Sequence, residues 1–454
     1  MGAVGSLTHV SIGLYNPLSR FFPKSALAPL NTIQLRICEG NQDMSSIYQE
    51  ILPTVVPITT FFFSVGVFFH LVNHPCPQRI ILSPLLYMPA GLSFVTSDWW
   101  PGDLNSLWGL LLCIWVGHST SLLFIEDLRV LEDADYLGRI SKLAPHISGR
   151  YYKGLKLWNN PRLLGTSYQF FKSPKTATNS SPSLCRFTVI RLGKLVAYMV
   201  VYFYIKARVF PAAFVPVRID EFDPLHQVYF RRLSSQIAPV TLRETLMRCA
   251  FVFWWTFSAV AMLDSAHAAL SLVSVIVLRF DLPYEWPPIF GPLSQAWSIR
   301  RFWSKFWHQI VRRTYTNYGE YVSRKILRLE PRSLPDKFFV IFAIFFLSGL
   351  SHAAVSWQLG DRCGWSLDMW WFCANFVAGL LEVVVTRLLR VFVTKLGQKH
   401  RLEWLDESIW SRTFGFVWVF SFMFWSIPKW QYPKLYCHLS DALEQTGKSV
   451  RSSA

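Results

Sequence analysis

Long apolar runs are the feature that most constrains what this chain can fold into. A helix that crosses a bilayer needs about 20 mostly apolar residues. Eight runs are candidates: 51–71, 80–95, 107–125, 189–205, 249–278, 338–357, 369–389 and 414–427. Only 16% of the residues are charged, whereas roughly 25% is usual in a soluble domain. The sequence therefore predicts an all-α, polytopic integral membrane protein with about eight transmembrane helices.

The positive charge of the chain indicates orientation in the membrane rather than nucleic-acid binding. The formal net charge is +17, but the basic residues lie between the apolar runs. Segments 128–187 and 281–337 each hold ten Lys and Arg residues, whereas 358–368 holds one Arg and two Asp. Because cytoplasmic loops carry an excess of Lys and Arg, we expect both basic segments in the cytosol and 358–368 in the lumen. This arrangement requires 249–278 to cross the membrane once.

Neither the cysteines nor the termini add a further constraint. The eight cysteines show no paired spacing and no C-x-x-C motif, so neither a zinc site nor a disulfide framework is predicted. The first forty-odd residues lack the pattern of a removable signal peptide. We expect an N-terminal extension (1–50), a membrane domain (51–427) and a C-terminal tail (428–454).

A basic and aromatic segment in the second basic loop is the first candidate for a functional site. Residues 300–309 read R-R-F-W-S-K-F-W-H-Q. The spacing predicts an amphipathic helix in which Arg301, Lys305, His308 and Arg312 share one face. Its aromatic face would rest in the membrane interface, and its basic stripe would meet lipid phosphate or an anionic substrate.

A histidine inside an apolar run is the second candidate. His352 lies within F-F-L-S-G-L-S-H-A-A, and Ser348 and Ser356 share its helix face. An ionisable group at this depth normally faces a cavity or a protein partner, although it can also be a satisfied core histidine that joins helices. Asp264 and His267 form a rival pair, for which the structural interpretation is favoured.

Together, these two segments resemble the membrane-bound O-acyltransferase superfamily, and within it the wax synthase-like branch. Phe302, Trp303, Trp307 and His308 match its N-F-W-G-x-x-W-H pattern, and His352 matches its intramembrane histidine. Arg301 replaces Asn and Ser304 replaces Gly. The element at 160–168 is similar to N-x-R-G-x-G-T-x-W of fungal members, with departures at Leu163 and Tyr168, and P-P-x-F-G at 287–291 also fits. The resemblance covers about 159–357 by motif.

The resemblance implies transfer of an acyl group from acyl-CoA to an alcohol. His352 would remove the hydroxyl proton, and His308 would bind or polarise the thioester carbonyl. Binding of acyl-CoA, a co-substrate and not a bound cofactor, would fall to the remaining residues of the first segment: Arg301, Lys305, Arg312, Trp303 and Trp307. No metal is implied. A lipophilic alcohol would arrive from the bilayer.

The resemblance leaves two pairs of acyl donor and alcohol as alternatives. Similarity to the fungal group favours acetyl-CoA and a terpenoid or meroterpenoid alcohol in secondary metabolism. The alternative within the branch is a wax ester synthase that uses long-chain acyl-CoA and a fatty alcohol. A third reading, a proton-coupled transporter, suits the intramembrane Asp264, His267 and His352, but the chain shows no similar halves. The resemblance implies the endoplasmic reticulum membrane.

Overall fold

The computed structural model describes residues 44–99, 102–128, 149–164, 183–214, 217–234, 238–396 and 408–452. Within these ranges the chain is helical and contains no β-strand. Most of the predicted N-terminal extension (1–43) and Gly165–Tyr168 of the predicted fungal element lie outside the described residues.

The described part of the chain forms ten helices of at least ten residues. They are α1 (Met44–Leu71), α2 (Cys76–Val95), α3 (Gly102–Thr120), α4 (Gly149–Trp158), α5 (Leu184–Tyr204), α6 (Leu242–Leu272), α7 (Arg312–Tyr321), α8 (Leu334–Gln358), α9 (Ser366–Lys395) and α10 (Ile409–Ser452). Shorter α-helical turns occupy Phe210–Phe214, Tyr229–Arg232 and Ile299–Arg301. π-Helical turns occupy Ser121–Ile125, Ile205–Val209, Val273–Val277, Phe302–Phe306 and Val322–Ile326, and 3₁₀ turns occupy Thr96–Trp99, Ile219–Phe222, His226–Val228, Pro283–Glu285 and Leu293–Gln295.

Each of the eight apolar runs coincides with one of these helices. Four helical stretches in the described residues are long and apolar enough to cross a membrane, namely Leu104–Ile125, Leu184–Phe214, Leu242–Val277 and Leu334–Gln358. The third is one continuous stretch, as the predicted single crossing requires. The all-helical membrane class is therefore confirmed, and the count of eight spans stays a prediction.

Side-chain caps fix the starts of three of these helices. Ser183, Thr241 and Ser333 each accept a hydrogen bond from the backbone N–H three residues later, at the starts of α5, α6 and α8. An oxygen at this position satisfies an N–H that has no partner within the helix. The caps show that short polar residues mark where the apolar segments begin.

The helices pack around two hydrophobic clusters. One cluster lies between α1, α2, α3 and α4, and its members Phe68, Leu71, Leu86 and Leu122 are fully buried. The other joins α6, α9, α10 and the loop before α7, and it is rich in Trp and Phe. The outward face of α5 is apolar and exposed instead: Val189, for example, is 64% exposed. An exposed apolar face of this length suits contact with lipid tails.

The connection between α8 and α9 is joined to α10 by a disulfide bond between Cys363 and Cys437. The prediction from the cysteine spacing, that the chain has no disulfide framework, was therefore wrong. The two cysteines are 74 residues apart in sequence with a Cα–Cα distance of 5.7 Å. Contacts between distant helices, which spacing does not encode, bring them together. Since disulfides persist in oxidising compartments, this pair agrees with the predicted lumenal position of 358–368.

Charged side chains reinforce this connection. Lys434 of α10 binds Asp361 at 3.0 Å and Asp368 at 2.8 Å, and Trp430 donates from its Nε1 to Asp368 at 2.7 Å. Burial opposes ionisation of Asp361, but His438 and Lys434 hold its pKa at about 2. Asp361 therefore stays ionised, and the α8–α9 hairpin is held to α10 by ion pairs as well as by the disulfide. We call this group of contacts the lumenal clamp.

Candidate active site

The segment 299–308 does not form the amphipathic surface helix that the sequence predicted. One α-helical turn (Ile299–Arg301) passes into a π-helical turn (Phe302–Phe306), and the chain becomes extended at Trp307, where ψ is 152°. Phe302, Phe306 and Trp307 are only 4–7% exposed. The aromatic face therefore lies in the protein core, and His308 and Arg312 no longer share a face with Arg301 and Lys305.

Contacts with α9 show that this segment enters the helical bundle. The backbone N–H of Ile299 donates to Glu382 at 2.7 Å, and Trp303 donates from its Nε1 to Asn375 Oδ1 at 3.0 Å. Glu382 and Asn375 are seven residues apart, which is about 10 Å along a helix. Trp303 also lies 5.8 Å from Trp371, centroid to centroid. The segment thus extends along α9 towards the first residues of that helix, the end predicted to be lumenal.

Stacked rings hold the end of the segment. Trp307 stacks on Trp255 of α6 with 5.0 Å between ring centroids and 6° between planes. Trp255 contacts Trp371 edge-on at 4.9 Å, and Trp371 stacks on Trp430 of α10 at 4.5 Å. Aromatic pairs of this geometry contribute about 0.5–1.5 kcal/mol each beyond their burial. Trp303 and Trp307 are therefore rigid supports for the residue that follows them.

That residue, His308, lies close enough to His352 to interact with it electrostatically. Burial and the nearby His352 lower the pKa of His308 to about 4, so its imidazole is neutral at pH 7. Its Nδ1 is buried without a hydrogen-bond partner in the described part of the chain. Protein surrounds the ring, yet the residue as a whole is half-buried. A buried polar atom without a partner often indicates a position kept for a ligand.

His352 lies in α8, where small residues bring α9 close. Its ring stacks on Phe372 of α9 at 4.9 Å between centroids. A Cβ on Gly349 would lie 2.9 Å from the Cα of Met369, so glycine permits this approach. The structure therefore brings together the two histidines, which are 44 residues apart in sequence.

The three predicted basic residues lie in different surroundings. Arg301 contacts Gln295 and lies over the Trp297 ring at 4.5 Å, and its Nε is buried without a partner in the described residues. Lys305 is exposed. Arg312 begins α7 and donates to Gln309 at 3.1 Å. Gln309 in turn donates to the carbonyls of Trp303 and Trp307 at 2.9 and 2.7 Å.

Two neighbouring residues were not identified from the sequence. Asn375 is fully buried and holds Trp303, and an Asn inside an apolar run was a usable signal. The hydroxyl oxygen of Tyr315, on α7, lies 2.6 Å from the hydroxyl oxygen of Ser351, and Ser351 directly precedes His352 in the chain. Burial raises the pKa of Tyr315 to about 12 despite this hydrogen bond, so its hydroxyl stays protonated and can donate.

The described part of the fungal-type element is attached to the same region. Arg313 donates to the carbonyl of Pro161 at 2.9 Å. Asn160 closes the turn through its side chain, which donates to the carbonyl of Leu164 at 2.8 Å and accepts from its N–H at 3.0 Å. Leu163 has a positive φ of 49° and is fully buried. The described part of the element, 160–164, is thus a compact turn held by α7.

Comparisons with known proteins agree with this geometry. Residues 286–374 match the family described as "Membrane bound O-acyl transferase family". The matched segment contains all seven predicted site residues, from Arg301 to His352. The resemblance stated above is therefore confirmed for this segment, which is similar to membrane-bound O-acyltransferases. No solved structure matches the chain.

The similar proteins are fungal and carry the name acetyltransferase. The chain is 32% identical to acetyltransferase ple2 of Rhodocybe pseudopiperita over 45% of its length and 52% of the relative. It is 34% identical to acetyltransferase nanB of Aspergillus nanangensis over 45% and 48% of the two chains. Acetyltransferase TRI7 of Fusarium sporotrichioides is 32% identical over 40% of each chain. The chain spans about half the length of the curated relatives it matches.

Proposed function

We propose that this protein transfers an acetyl group from acetyl-CoA to a hydroxyl of a lipophilic alcohol, a terpenoid or meroterpenoid. The observation that carries the proposal is that the buried His308, whose Nδ1 has no partner in the described residues, lies close enough to His352 to interact with it electrostatically. The match to membrane-bound O-acyltransferases and the acetyltransferase relatives support an acetyl donor. The terpenoid acceptor rests on the similarity of 160–168 to fungal members.

His352 is the general base in this proposal. As the alcohol oxygen attacks the thioester carbonyl, the imidazole takes the hydroxyl proton and the C–O bond forms. The C–S bond then breaks, and the imidazolium returns the proton to the leaving sulfur, so that CoA leaves as the thiol. General base catalysis of this kind contributes typically 10²–10⁴-fold. Stacking on Phe372 fixes the plane of the ring, so the alcohol must approach along a defined edge.

His308 stabilises the developing negative charge on the thioester oxygen. In its neutral form it keeps one N–H to donate, and its lowered pKa of about 4 makes it a weaker base than an ordinary imidazole. Such preorganised donors are commonly worth 10²–10³-fold in kcat. The surrounding tryptophans exclude water, which strengthens the hydrogen bond.

Arg301 is the proposed contact for a phosphate of acetyl-CoA. Burial lowers its pKa, as do the neighbouring cations Arg300 and Arg412, and its Nε has no partner in the described residues. An anionic group would satisfy this donor and neutralise the crowded charge. Lys305 and Arg312 are the secondary contacts in this proposal.

The test is acetyl transfer by microsomes that contain the full chain. Radiolabelled acetyl-CoA or palmitoyl-CoA is offered with hydroxylated terpenoids and fatty alcohols, beside the His352→Ala and His308→Ala variants. We expect a terpenoid acetyl ester that is lost with His352→Ala. Palmitoyl transfer to a fatty alcohol would indicate a wax ester synthase instead. Wild-type rates in the His352→Ala variant would rule out His352 as the base.

A further inference from the structure

A polar cluster between α5 and α6 lies outside the site described above. Lys194 and Tyr198 of α5 bind the same oxygen of Asp264 on α6, at 2.7 and 3.1 Å. Arg191 of α5 lies 3.2 Å from Nδ1 of His267 and also donates to the carbonyl of Trp286. Charged groups inside membrane helices are costly, so a group of them indicates a functional site.

Arg162 of the fungal-type element adds a further positive charge. It lies close enough to the His267 ring to interact with it electrostatically, and burial lowers its pKa. In the described ranges Arg162 has no acidic partner within ion-pair distance, and neither has Arg191. Three cations (Arg162, Arg191 and Lys194) and one carboxylate, Asp264, thus lie around the His267 ring, and Lys194 already pairs with that carboxylate. The group, called here the basic cluster, carries uncompensated positive charge.

We infer that the basic cluster binds a phosphate group. Guanidinium groups match phosphate oxygens in geometry and charge, and Arg191 is only 6% exposed, so its desolvation is already complete in the folded protein. The second oxygen of Asp264 is buried without a partner in the described residues. That carboxylate orients Lys194 and Tyr198 and leaves the two arginines for the anion.

The position of the basic cluster suits the phosphate end of acetyl-CoA, an assignment that rests on the proposed function. Arg191 lies seven residues after the first residue of α5, about 10 Å along the helix, whereas His352 lies 18 residues after the first residue of α8, about 27 Å along it. Both helices begin on the side predicted to be cytosolic. The basic cluster therefore lies between the cytosol and the histidines.

The chain itself connects the two places. Trp286 accepts from Arg191, and Phe290, four residues later, lies 5.9 Å from the His308 ring. Four residues span at most about 14 Å, a distance that the flexible arm between the phosphates and the thioester of CoA can follow. CoA carries a diphosphate and a separate ribose phosphate, so the basic cluster and Arg301 do not compete for one group.

Arg162→Gln is the sharpest test, because Arg162 makes no hydrogen bond within the described chain that its removal would break. Full-length protein in phosphatidylcholine nanodiscs is assayed for equilibrium binding of acetyl-CoA and for the KM of acetyl-CoA and of acetyl-pantetheine, which lacks the phosphates. We expect binding of acetyl-CoA to weaken about 10-fold, with an unchanged KM for acetyl-pantetheine. Arg162→Lys should restore much of the affinity. Arg218→Gln, an exposed arginine paired with Asp220, is the matched control.

A second experiment distinguishes binding of a lipid phosphate from binding of a CoA phosphate. Nanodiscs with phosphatidic acid are compared with neutral ones for thermal stability of the wild type and of Arg162→Gln. Stabilisation of the wild type alone, with unchanged acetyl-CoA affinity, would assign the phosphate to a lipid headgroup. If neither acetyl-CoA affinity nor lipid stabilisation depends on Arg162, the basic cluster is not a phosphate site. Binding of acetyl-CoA without acetyl transfer would instead count against the proposed reaction alone.

Discussion

Gly291 offers the most direct way to move His308 without touching it. The backbone N–H of Gly291 donates to the carbonyl of Phe306 at 2.8 Å, two residues before His308. A Cβ at position 291 would lie 1.9 Å from the carbonyl oxygen of Lys305. Since carbon and oxygen atoms do not approach within about 3.0 Å, Gly291→Ala must displace this backbone by at least about 1.1 Å.

The size of the effect follows from the position of the clash. Misplacing a reacting group by about 1 Å can lower a rate by about 10²-fold, which corresponds to about 2.7 kcal/mol of transition-state stabilisation. The stacked rings around Trp307 resist a compensating shift. We therefore expect kcat for acetyl transfer to fall by about two orders of magnitude, with a much smaller change in the KM for acetyl-CoA.

The assay compares initial rates of purified Gly291→Ala with wild type and with Gly193→Ala. A Cβ at Gly193, on α5, meets nothing within 4 Å, so that variant should keep the wild-type rate and a slightly higher stability. Thermal unfolding with a thiol-reactive dye checks that both variants are folded. A folded Gly291→Ala enzyme with wild-type kcat would show that the position of the 299–308 backbone does not limit the reaction.

Three further expectations concern the surroundings of the site. Replacing both Cys363 and Cys437 by Ser should lower the unfolding temperature, because the disulfide closes a 74-residue loop and such a closure adds up to about 4 kcal/mol to the free energy of unfolding. Treating the wild type with reductant should lower the unfolding temperature equally, and treating the variant should leave it unchanged. Asn375→Leu leaves the Trp303 N–H buried without an acceptor and should destabilise the protein by about 1–3 kcal/mol, measured by thermal unfolding against Asn375→Gln. The pKa of His308 is lowered to about 4 in the folded protein, against 6.5 in the unfolded chain, so the unfolded chain binds more protons between these two pH values. The free energy of unfolding should therefore fall as the pH drops from 6.5 to 4, and His308→Gln should flatten that decline. An unchanged pH profile in His308→Gln would refute the lowered pKa of His308.

The fold class could be predicted from the sequence because membrane insertion depends on local composition. Each apolar run became a helix, and the continuous helical stretch at Leu242–Val277 agrees with the single crossing that the distribution of charge in the loops predicts. The prediction of an amphipathic surface helix at 300–309 was wrong for a physical reason. A basic and aromatic pattern of period 3.6 is the same for a helix on a membrane surface and for one inside a bundle. Contacts with Gly291 and Glu382, which the period does not encode, decide between them.

The candidate site was predictable to a different extent at each residue. His308 and His352 were identified by resemblance, and the structure brings them together. The part of Trp303 and Trp307 in supporting His308 was not predicted, because it depends on packing against other helices, such as the stacking of Trp307 on Trp255; their contact with acyl-CoA stays a prediction. The pairing of Cys363 with Cys437 carried no signal at all in the sequence.

The lumenal clamp also bears on how the protein is assembled. The disulfide of the lumenal clamp joins the connection after α8 to α10. In the predicted eight-span topology it can therefore form only when α9 and α10 have both been inserted with their expected ends in the lumen. A chain with α10 misoriented would hold Cys437 on the reducing side and keep both thiols free. The oxidation state of this one pair therefore records whether the last two helices crossed correctly, and a mobility shift after thiol alkylation would separate completed molecules from misassembled ones.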